Sequence, residues 1–208
     1  MSFLGKCETI LFQGDSITDC KRDKDDITSL GLGYPLLVTS FMMARARGDY
    51  TFINKGISGN RTGDLVERWQ RDCIDLKPTT VSILIGINDT WRRYKPEPDP
   101  TSTQDFYERY KTILTRTVDE SEAKIIILEP FLLPVNDNLK QWREDLDPKI
   151  QAVRELSRQF GALYVPLDGL FAGACAKKPP EYWAEDGIHP TRAGHGLIAE
   201  AWVRAVDN

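Results

Sequence analysis

Short apolar runs, which favour β-strands, alternate along the chain with longer segments whose apolar residues recur at helical spacing. The runs are rich in β-branched and aromatic residues, as expected for strands that are covered on both faces of a sheet. Strands are predicted at 10–12, 50–53, 81–85, 125–128 and 162–165. Helices are predicted at 31–47, 62–76, 102–121, 138–160 and from 191 onward. Strands separated by helices pair in parallel, so the sequence predicts an α/β fold with three αβα layers around a five-stranded parallel sheet.

Length and charge narrow the classes of protein that fit this chain. Its 208 residues suffice for one core, and no linker or repeat divides them, so we expect a single domain over 1–208. A net charge of −4 without a basic patch argues against nucleic acid as a partner. Neither a signal peptide nor a membrane-spanning apolar run is visible, which predicts a cytoplasmic protein without a membrane partner. Four scattered cysteines without metal-ligand spacing are expected to be reduced thiols.

The first strand leads into a turn that is rich in helix-capping residues. Gly14 ends the apolar run, and Asp15, Ser16 and Thr18 follow it. This arrangement brings the chain out at the carboxyl ends of the parallel strands, where open α/β sheets bind their ligands. The stretch alone fits either a helix-capping serine or a serine nucleophile.

A serine nucleophile needs a general base and a carboxylate that orients this base. The chain has only two histidines. His195 lies within the last helical pattern, which favours a structural or surface role, whereas His189 lies in a turn before that helix. Asp186, three residues earlier, is close enough in sequence for a bent loop to bring its carboxylate to the imidazole of His189. Glu185 is a competing carboxylate.

Attack of a serine nucleophile on a carbonyl carbon also needs hydrogen-bond donors fixed at the position where the oxyanion develops. Gly56 can offer its backbone N–H in a turn where no side chain blocks approach. Asn88 follows a central strand and can aim its side-chain amide at the same point, and the N–H of Ser16 is a third donor. Each has an ordinary alternative, because Gly56 alone is typical of a turn and Asn88 alone is typical of a turn or helix cap.

Four motifs in chain order together resemble those of the GDSL, or SGNH, hydrolases. They are Gly-Asp-Ser-Ile-Thr at 14–18, Asn-Lys-Gly at 54–56, Gly-Ile-Asn-Asp at 86–89 and Asp-Gly-Ile-His-Pro at 186–190. Their flanking residues are similar to those of the bacterial acetyl-xylan esterase group of this family. The resemblance implies a flavodoxin-like fold with strand order 2-1-3-4-5.

The same resemblance implies a mechanism, a set of site residues and a class of substrate. Ser16, His189 and Asp186 would form a catalytic triad, and Ser16, Gly56 and Asn88 would form the oxyanion hole of an esterase that acts through an acyl-enzyme. No metal or other cofactor is implied. The expected partner is an acetylated carbohydrate, such as a xylan fragment, or another small ester, and a homo-oligomer is left open.

Residues that adjoin the motifs are predicted to contact the substrate. They are Asp15, Asn60, Arg61, Trp91 and Trp183. The two tryptophans would offer flat faces to a sugar ring and leave space for little more than an acetyl group. The alternative is that both tryptophans pack in the core, as large aromatic residues usually do.

Three other functions compete with an acetylesterase. A lipase-like or thioester acylhydrolase, or an acyltransferase, would use the same catalytic machinery. A carbohydrate-binding protein with an inactive site is disfavoured, because the set of Ser16, His189 and Asp186 is complete. A metal-dependent phosphoesterase has little support, because the sequence shows no His-rich metal spacing.

Overall fold

The computed structural model of the protein describes residues 3–207, and a parallel five-stranded sheet lies at its centre. The strands are β1 (Cys7–Gly14), β2 (Asp49–Asn54), β3 (Thr80–Leu84), β4 (Lys124–Leu128) and β5 (Leu163–Val165). Their order in the sheet is β2-β1-β3-β4-β5, which confirms the predicted flavodoxin-like topology. The order reverses between β1 and β3, and the crevice at such a switch point is where open α/β sheets bind ligands.

Helices connect the strands and cover both faces of the sheet. They are α1 (Ser16–Asp19), α2 (Tyr34–Ala44), α3 (Thr62–Asp72), α4 (Ile87–Trp91), α5 (Thr103–Ser121), α6 (Asp137–Gln141), α7 (Arg143–Gln159), α8 (Leu167–Cys175), α9 (Pro180–Trp183) and α10 (Arg192–Asp207). Short 3₁₀ helices at Ile74–Leu76 and Arg92–Tyr94 follow α3 and α4. No helix within residues 3–207 is long and apolar enough to cross a membrane.

Alternate residues of each strand face opposite sides of the sheet, and each side has its own apolar core. On one side, the ring of Phe12 lies 5.7 Å from that of Tyr34 in α2 and 6.0 Å from that of Trp202 in α10. On the other side, Leu11 belongs to a cluster with Trp69 of α3 and Tyr110 of α5. Burial on both faces explains the apolar strand sequences and confirms the predicted αβα layers.

Several predicted helices have different bounds in the structure. The helix predicted at 31–47 is the shorter α2, because Gly31 and Ala46 adopt positive φ angles of 72° and 48°, which a right-handed helix does not permit. The continuous helix predicted at 138–160 is divided into α6 and α7, and Asn136 caps the first of them.

Two segments without predicted helices also turn out to contain them. Asn88, which was expected directly after a central strand, lies in α4, and the stretch before Asp186 contains α8 and α9. These helices are short, and four to nine residues carry too few apolar repeats for a helical period to stand out. The consequence for the site is that Asn88 is held by a helix that begins directly after β3.

Candidate active site

Ser16 lies at the first position of α1, at the carboxyl end of β1. Asp15 caps this helix by accepting the N–H of Ile17 at 3.0 Å. The preceding Gly14 permits close packing, since a Cβ there would overlap the side chain of Thr18 and the carbonyl of Leu84 in β3. The end of β1, the short helix and β3 therefore fix the half-buried Ser16 at the switch point of the sheet.

A chain of hydrogen bonds joins Ser16 to the loop before α10. The Oγ of Ser16 lies 2.9 Å from Nε2 of His189, and Nδ1 of His189 lies 2.6 Å from Oδ2 of Asp186. Oδ1 of Asp186 also accepts the backbone N–H groups of His189 at 2.7 Å and Ile188 at 2.9 Å. An ionised Asp186 accepts only, so Nδ1 of His189 carries the proton and Nε2 faces the Ser16 hydroxyl as an acceptor. The structure thus brings together the three residues that were predicted as a triad.

The electrostatics of this chain suit proton transfer at the serine. Partial burial would raise the pKa of Asp186, but the hydrogen bonds from the His189 ring, the His189 N–H and the Ile188 N–H outweigh it and lower this pKa to about 2. The hydrogen bond to Asp186 raises the pKa of His189 above its usual value, against the opposing effect of burial. An ionised Asp186 therefore stabilises the imidazolium that forms when His189 accepts a proton.

Asn88 is buried in α4, and its side-chain amide donates one hydrogen bond, at 3.1 Å, to the carbonyl of Asn60. The NH₂ group has a second hydrogen that remains available. Gly86, the N-cap of α4, has a φ of +133°, which favours glycine and allows the abrupt turn from β3 into the helix. The turn and the Asn60 carbonyl together fix the amide of Asn88 beside the carboxyl ends of β1 and β3.

Gly56 does not fit the predicted role of oxyanion donor. Its N–H donates to Oδ1 of Asn54 at 2.8 Å, so this donor is already occupied. A Cβ on Gly56 would overlap the backbone nitrogen of Asp19, which explains the glycine by close packing against α1. Sequence alone could not reveal this contact. The spacing places Asn54 two residues before Gly56 but does not show in which direction the Asn54 side chain points.

Gly59, three residues after Gly56 in the sequence, has the free donor that Gly56 lacks. It occupies the third position of a turn over residues 57–60, closed by the hydrogen bond from the Asn60 N–H to the Ile57 carbonyl, and its φ is +83°. Within residues 3–207, no acceptor binds its N–H. The turn is attached to β1 by the N–H of Ile57, which donates to the carbonyl of Gly14 at 3.1 Å.

Three of the predicted substrate contacts are engaged inside the protein. Asp15 is buried as the cap of α1, and the side-chain oxygen of Asn60 accepts Nε of Arg68 at 2.8 Å. The guanidinium of Arg61 pairs with the carboxylate of Asp99 at 2.9 Å. These side chains hold the loops around the site, and their placement gives no support to direct contact with substrate.

Two carboxyl groups near Ser16 are buried, and residue pattern alone does not indicate their charge state. Burial raises the pKa of Asp15 to about 7, and its Oδ2 has no hydrogen-bond partner among residues 3–207. Burial also raises the pKa of Asp89, which accepts the N–H and hydroxyl of Thr62 at 3.1 and 2.8 Å. Asp89 thereby ties the start of α3 to α4, a contact that sequence analysis did not identify.

The two predicted tryptophans lie in different surroundings. The ring of Trp91 lies 6.0 Å from that of His189, in an edge-to-face arrangement. Trp183 instead lines a groove between α2 and α10, together with Phe41. Its neighbour Tyr182 lines the cavity of about 730 Å³ that contains Asp186 and His189. The structure therefore brings Trp91 to the site and does not bring Trp183 there.

His195 is buried and has a structural environment. Its Nδ1 accepts the N–H of Tyr34 at 3.1 Å, so Nε2 carries the proton and lies 3.4 Å from Sγ of Cys20. Burial lowers the pKa of His195 to about 4, which keeps the ring neutral near pH 7. This histidine joins the end of α1 to the start of α2, away from the Ser16 hydroxyl.

Several known proteins are similar to this chain in both sequence and fold. Residues 12–197 match the model of the GDSL-like lipase/acylhydrolase family. An acetylxylan esterase from Geobacillus stearothermophilus is 34% identical over 211 aligned residues, which cover 98% of this chain and 95% of that protein. The crystal structure of a catalytic mutant of an acetylxylan esterase from the same species has a TM-score of 0.88 at 32% identity, and the match covers 96% of this chain and 94% of that chain. A protein from Parabacteroides merdae, assigned to the GDSL-like lipases, has a TM-score of 0.88 at 33% identity, with 97% and 95% covered.

The chain belongs to the GDSL-like lipase/acylhydrolase family. The match spans the whole segment between the end of β1 and α10, and so includes all four motifs that carried the resemblance. Together with the fold, this membership makes the protein a serine esterase.

Proposed function

We propose that the protein is an acetylesterase that removes acetyl groups from carbohydrates through an acetyl-enzyme on Ser16. The observation that carries the proposal is the hydrogen-bonded chain from the Ser16 hydroxyl through His189 to Asp186. The similarity over nearly the full chain to an acetylxylan esterase supports acetylated sugars as the substrate class.

The proposed reaction begins with attack of the Ser16 oxygen on the ester carbonyl carbon. Nε2 of His189 takes the hydroxyl proton, and Asp186 stabilises the resulting imidazolium. When the tetrahedral intermediate collapses, the sugar oxygen leaves and takes that proton from His189. Water then attacks the acetyl group, His189 accepts the proton of the water, and acetate leaves as the Ser16 oxygen regains a proton.

Three donors are proposed to stabilise the negative oxygen of each tetrahedral intermediate. The N–H of Ser16, at the first position of α1, has no partner within the helix. Among residues 3–207, no acceptor binds the N–H of Gly59, and one hydrogen of the Asn88 amide has no acceptor. Because Asn88 donates to the carbonyl of Asn60, which adjoins Gly59, the amide and the turn hold each other in place before the reaction.

Substitution of Asn88 by alanine is expected to lower kcat by about 10²–10³ with a smaller change in KM, as for one oxyanion-hole donor. Steady-state kinetics on p-nitrophenyl acetate would measure both parameters. Asn136→Ala is a control for the loss of an asparagine side chain as such, because this exposed residue caps α6, and its removal is expected to cost about 1 kcal/mol of stability. A change confined to KM in Asn88→Ala would assign Asn88 to ground-state binding instead.

The acyl group is expected to be short, because the bulky ring of Trp91 lies 6.0 Å from that of His189 and therefore close to the nucleophile. We expect kcat/KM for p-nitrophenyl butyrate to be about tenfold or more below that for the acetate, and the octanoate to be slower still. Trp91→Ala should flatten this profile, whereas Trp183→Ala should keep it, since Trp183 lies in a different groove. A flat or rising wild-type profile would favour the lipase-like alternative.

Acetate release tests the carbohydrate part of the proposal directly. Acetylated xylo-oligosaccharides should release acetate with a higher kcat/KM than p-nitrophenyl acetate, because a sugar ring can use binding surfaces that the small ester cannot reach. Acetyl transfer to an added alcohol in place of water would instead support the acyltransferase alternative. Hydrolysis of activated esters without release from any acetylated sugar would exclude the carbohydrate assignment and leave the esterase intact.

A further inference from the structure

Three cationic side chains lie next to Trp91, in and just after the 3₁₀ helix that follows α4, and they have different partners. The guanidinium of Arg93 lies 3.6 Å from the carboxylate of Asp145, and the ammonium of Lys95 lies 4.9 Å from the centroid of the Trp91 ring. Arg92 is half-buried, yet within residues 3–207 no acceptor binds its guanidinium. Of these three, Arg92 is thus the cation that is partly withdrawn from solvent without a partner.

The position of Arg92 relates it to the proposed oxyanion hole. Its Nη2 lies 3.9 Å from the point that a Cβ on Gly59 would occupy, so its guanidinium borders the turn with the free N–H. Its carbonyl accepts the N–H of Asp99 at 3.1 Å, which fixes the backbone. The carboxylate of Asp99, however, pairs with Arg61 rather than with Arg92.

An unpaired and half-buried guanidinium is a recognition element for an anion. It has five donors and no acceptor, and its planar fork matches a carboxylate in a bidentate arrangement. Partial burial without a partner costs solvation free energy, and an anionic ligand restores the missing interaction. Lys95, three residues further along the chain, adds a second positive charge, while the carboxylate of Asp186 is already bound to His189.

We propose that Arg92, with Lys95 beside it, binds a carboxylate of the substrate, so that the preferred substrates are acetylated oligosaccharides that carry a uronic acid. The inference rests on the proposed function and adds a charged substituent to the substrate class. In this arrangement the sugar that bears the acetyl group lies against Trp91, and the acidic residue of the oligosaccharide reaches the two cations. Arg92 is then a determinant of specificity and takes no part in proton transfer.

The test compares two acetylated xylo-oligosaccharides of equal length, one with a uronic acid substituent and one without. The wild-type kcat/KM should be higher for the acidic substrate, and Arg92→Gln should lower the acidic-to-neutral ratio roughly tenfold to hundredfold, the range for hydrogen bonds to a charged group. Arg92→Lys keeps the charge but loses the fork and should restore part of the ratio. Salt at 0.5 M shortens the screening length to roughly a few ångströms. Because the cations lie at the surface, this salt concentration should also reduce the wild-type acidic-to-neutral ratio.

Arg93→Gln is the matched control. It removes the same charge from the next residue in the chain, whose guanidinium already pairs with the carboxylate of Asp145. It should leave the ratio unchanged. A wild-type ratio near one, an equal loss for both substrates in Arg92→Gln, or an equal fall of the ratio in Arg93→Gln would each overturn the role of Arg92. Those results still include acetate release, so they are distinct from failure of the proposed function, in which neither sugar releases acetate.

Discussion

Replacing Ser16 with alanine is expected to lower kcat on p-nitrophenyl acetate by about 10⁴–10⁶, as for other triad nucleophiles. The oxygen of Ser16 forms the bond to the acetyl group in the proposed reaction, so without it no acetyl-enzyme can form. Within residues 3–207, the Ser16 hydroxyl contacts only the ring of His189 as a hydrogen-bond partner, and the side chain is half-buried. Its loss should therefore change activity far more than the free energy of unfolding.

The measurement combines kinetics with a search for the acetylated intermediate. Wild-type protein quenched during turnover should carry an acetyl group on the peptide that contains Ser16, and the alanine variant should not. Ser40→Ala is the control, since the hydroxyl of this exposed serine in α2 bonds only to the carbonyl of Leu36. Activity of Ser16→Ala within tenfold of the wild type would remove Ser16 from the mechanism.

The parts of the site that the sequence predicted share one physical basis. Ser16 and Asn88 each follow a strand, and the carboxyl ends of parallel strands meet at one edge of a sheet. The third partner, His189, lies 173 residues from Ser16 in sequence, but the chain has only two histidines, so elimination could identify it. Residue type, order and strand pattern were enough for these positions, because topology alone brings them together.

The parts that the sequence misplaced depend on the direction of single side chains and N–H groups. Gly56 and Gly59 lie three residues apart, and the Asn54 side chain, which accepts the N–H of Gly56, decides which of the two donors is already occupied. Tyr182 and Trp183 are neighbours in a four-residue helix, yet they line different cavities. Composition and spacing do not show which way a single side chain or N–H group points. The packing around each residue determines that direction.

Charge pairing limited the prediction of substrate contacts in the same way. Sequence favoured Arg61, because it lies shortly after the second motif, but its guanidinium pairs with the carboxylate of Asp99 from a distant loop. Arg92, which was not predicted, lacks such a partner within the described part of the chain. Whether Arg61 or Arg92 has a partner depends on where the segment before α5 places Asp99. No local sequence pattern predicts the path of that segment.

His189→Ala should reduce kcat nearly as far as Ser16→Ala, and the double variant should be little worse than either, because the two residues act as a unit. Nε2 of His189, 2.9 Å from the Ser16 oxygen, is the one acceptor for the hydroxyl proton among residues 3–207, so without the imidazole the attacking oxygen stays protonated. His195→Ala is the matched control, since its neutral ring accepts the N–H of Tyr34 and faces Cys20 rather than the nucleophile. This control should lose stability, because the ring is buried, and retain most of its kcat.

The pH profile separates a general base from a residue that only shapes the site. His189 must be neutral to accept a proton, so kcat/KM should fall as pH decreases through its pKa, which the hydrogen bond to Asp186 raises above the usual value. Asp186→Asn removes the carboxylate that stabilises the protonated His189, so the pKa of His189 should fall. The acid limb of the kcat/KM profile should then move to lower pH, and kcat should decrease. A purely structural His189 would leave the acid limb in place in this variant. An acid limb that instead vanished in His195→Ala, with His189→Ala still active, would assign the base to His195.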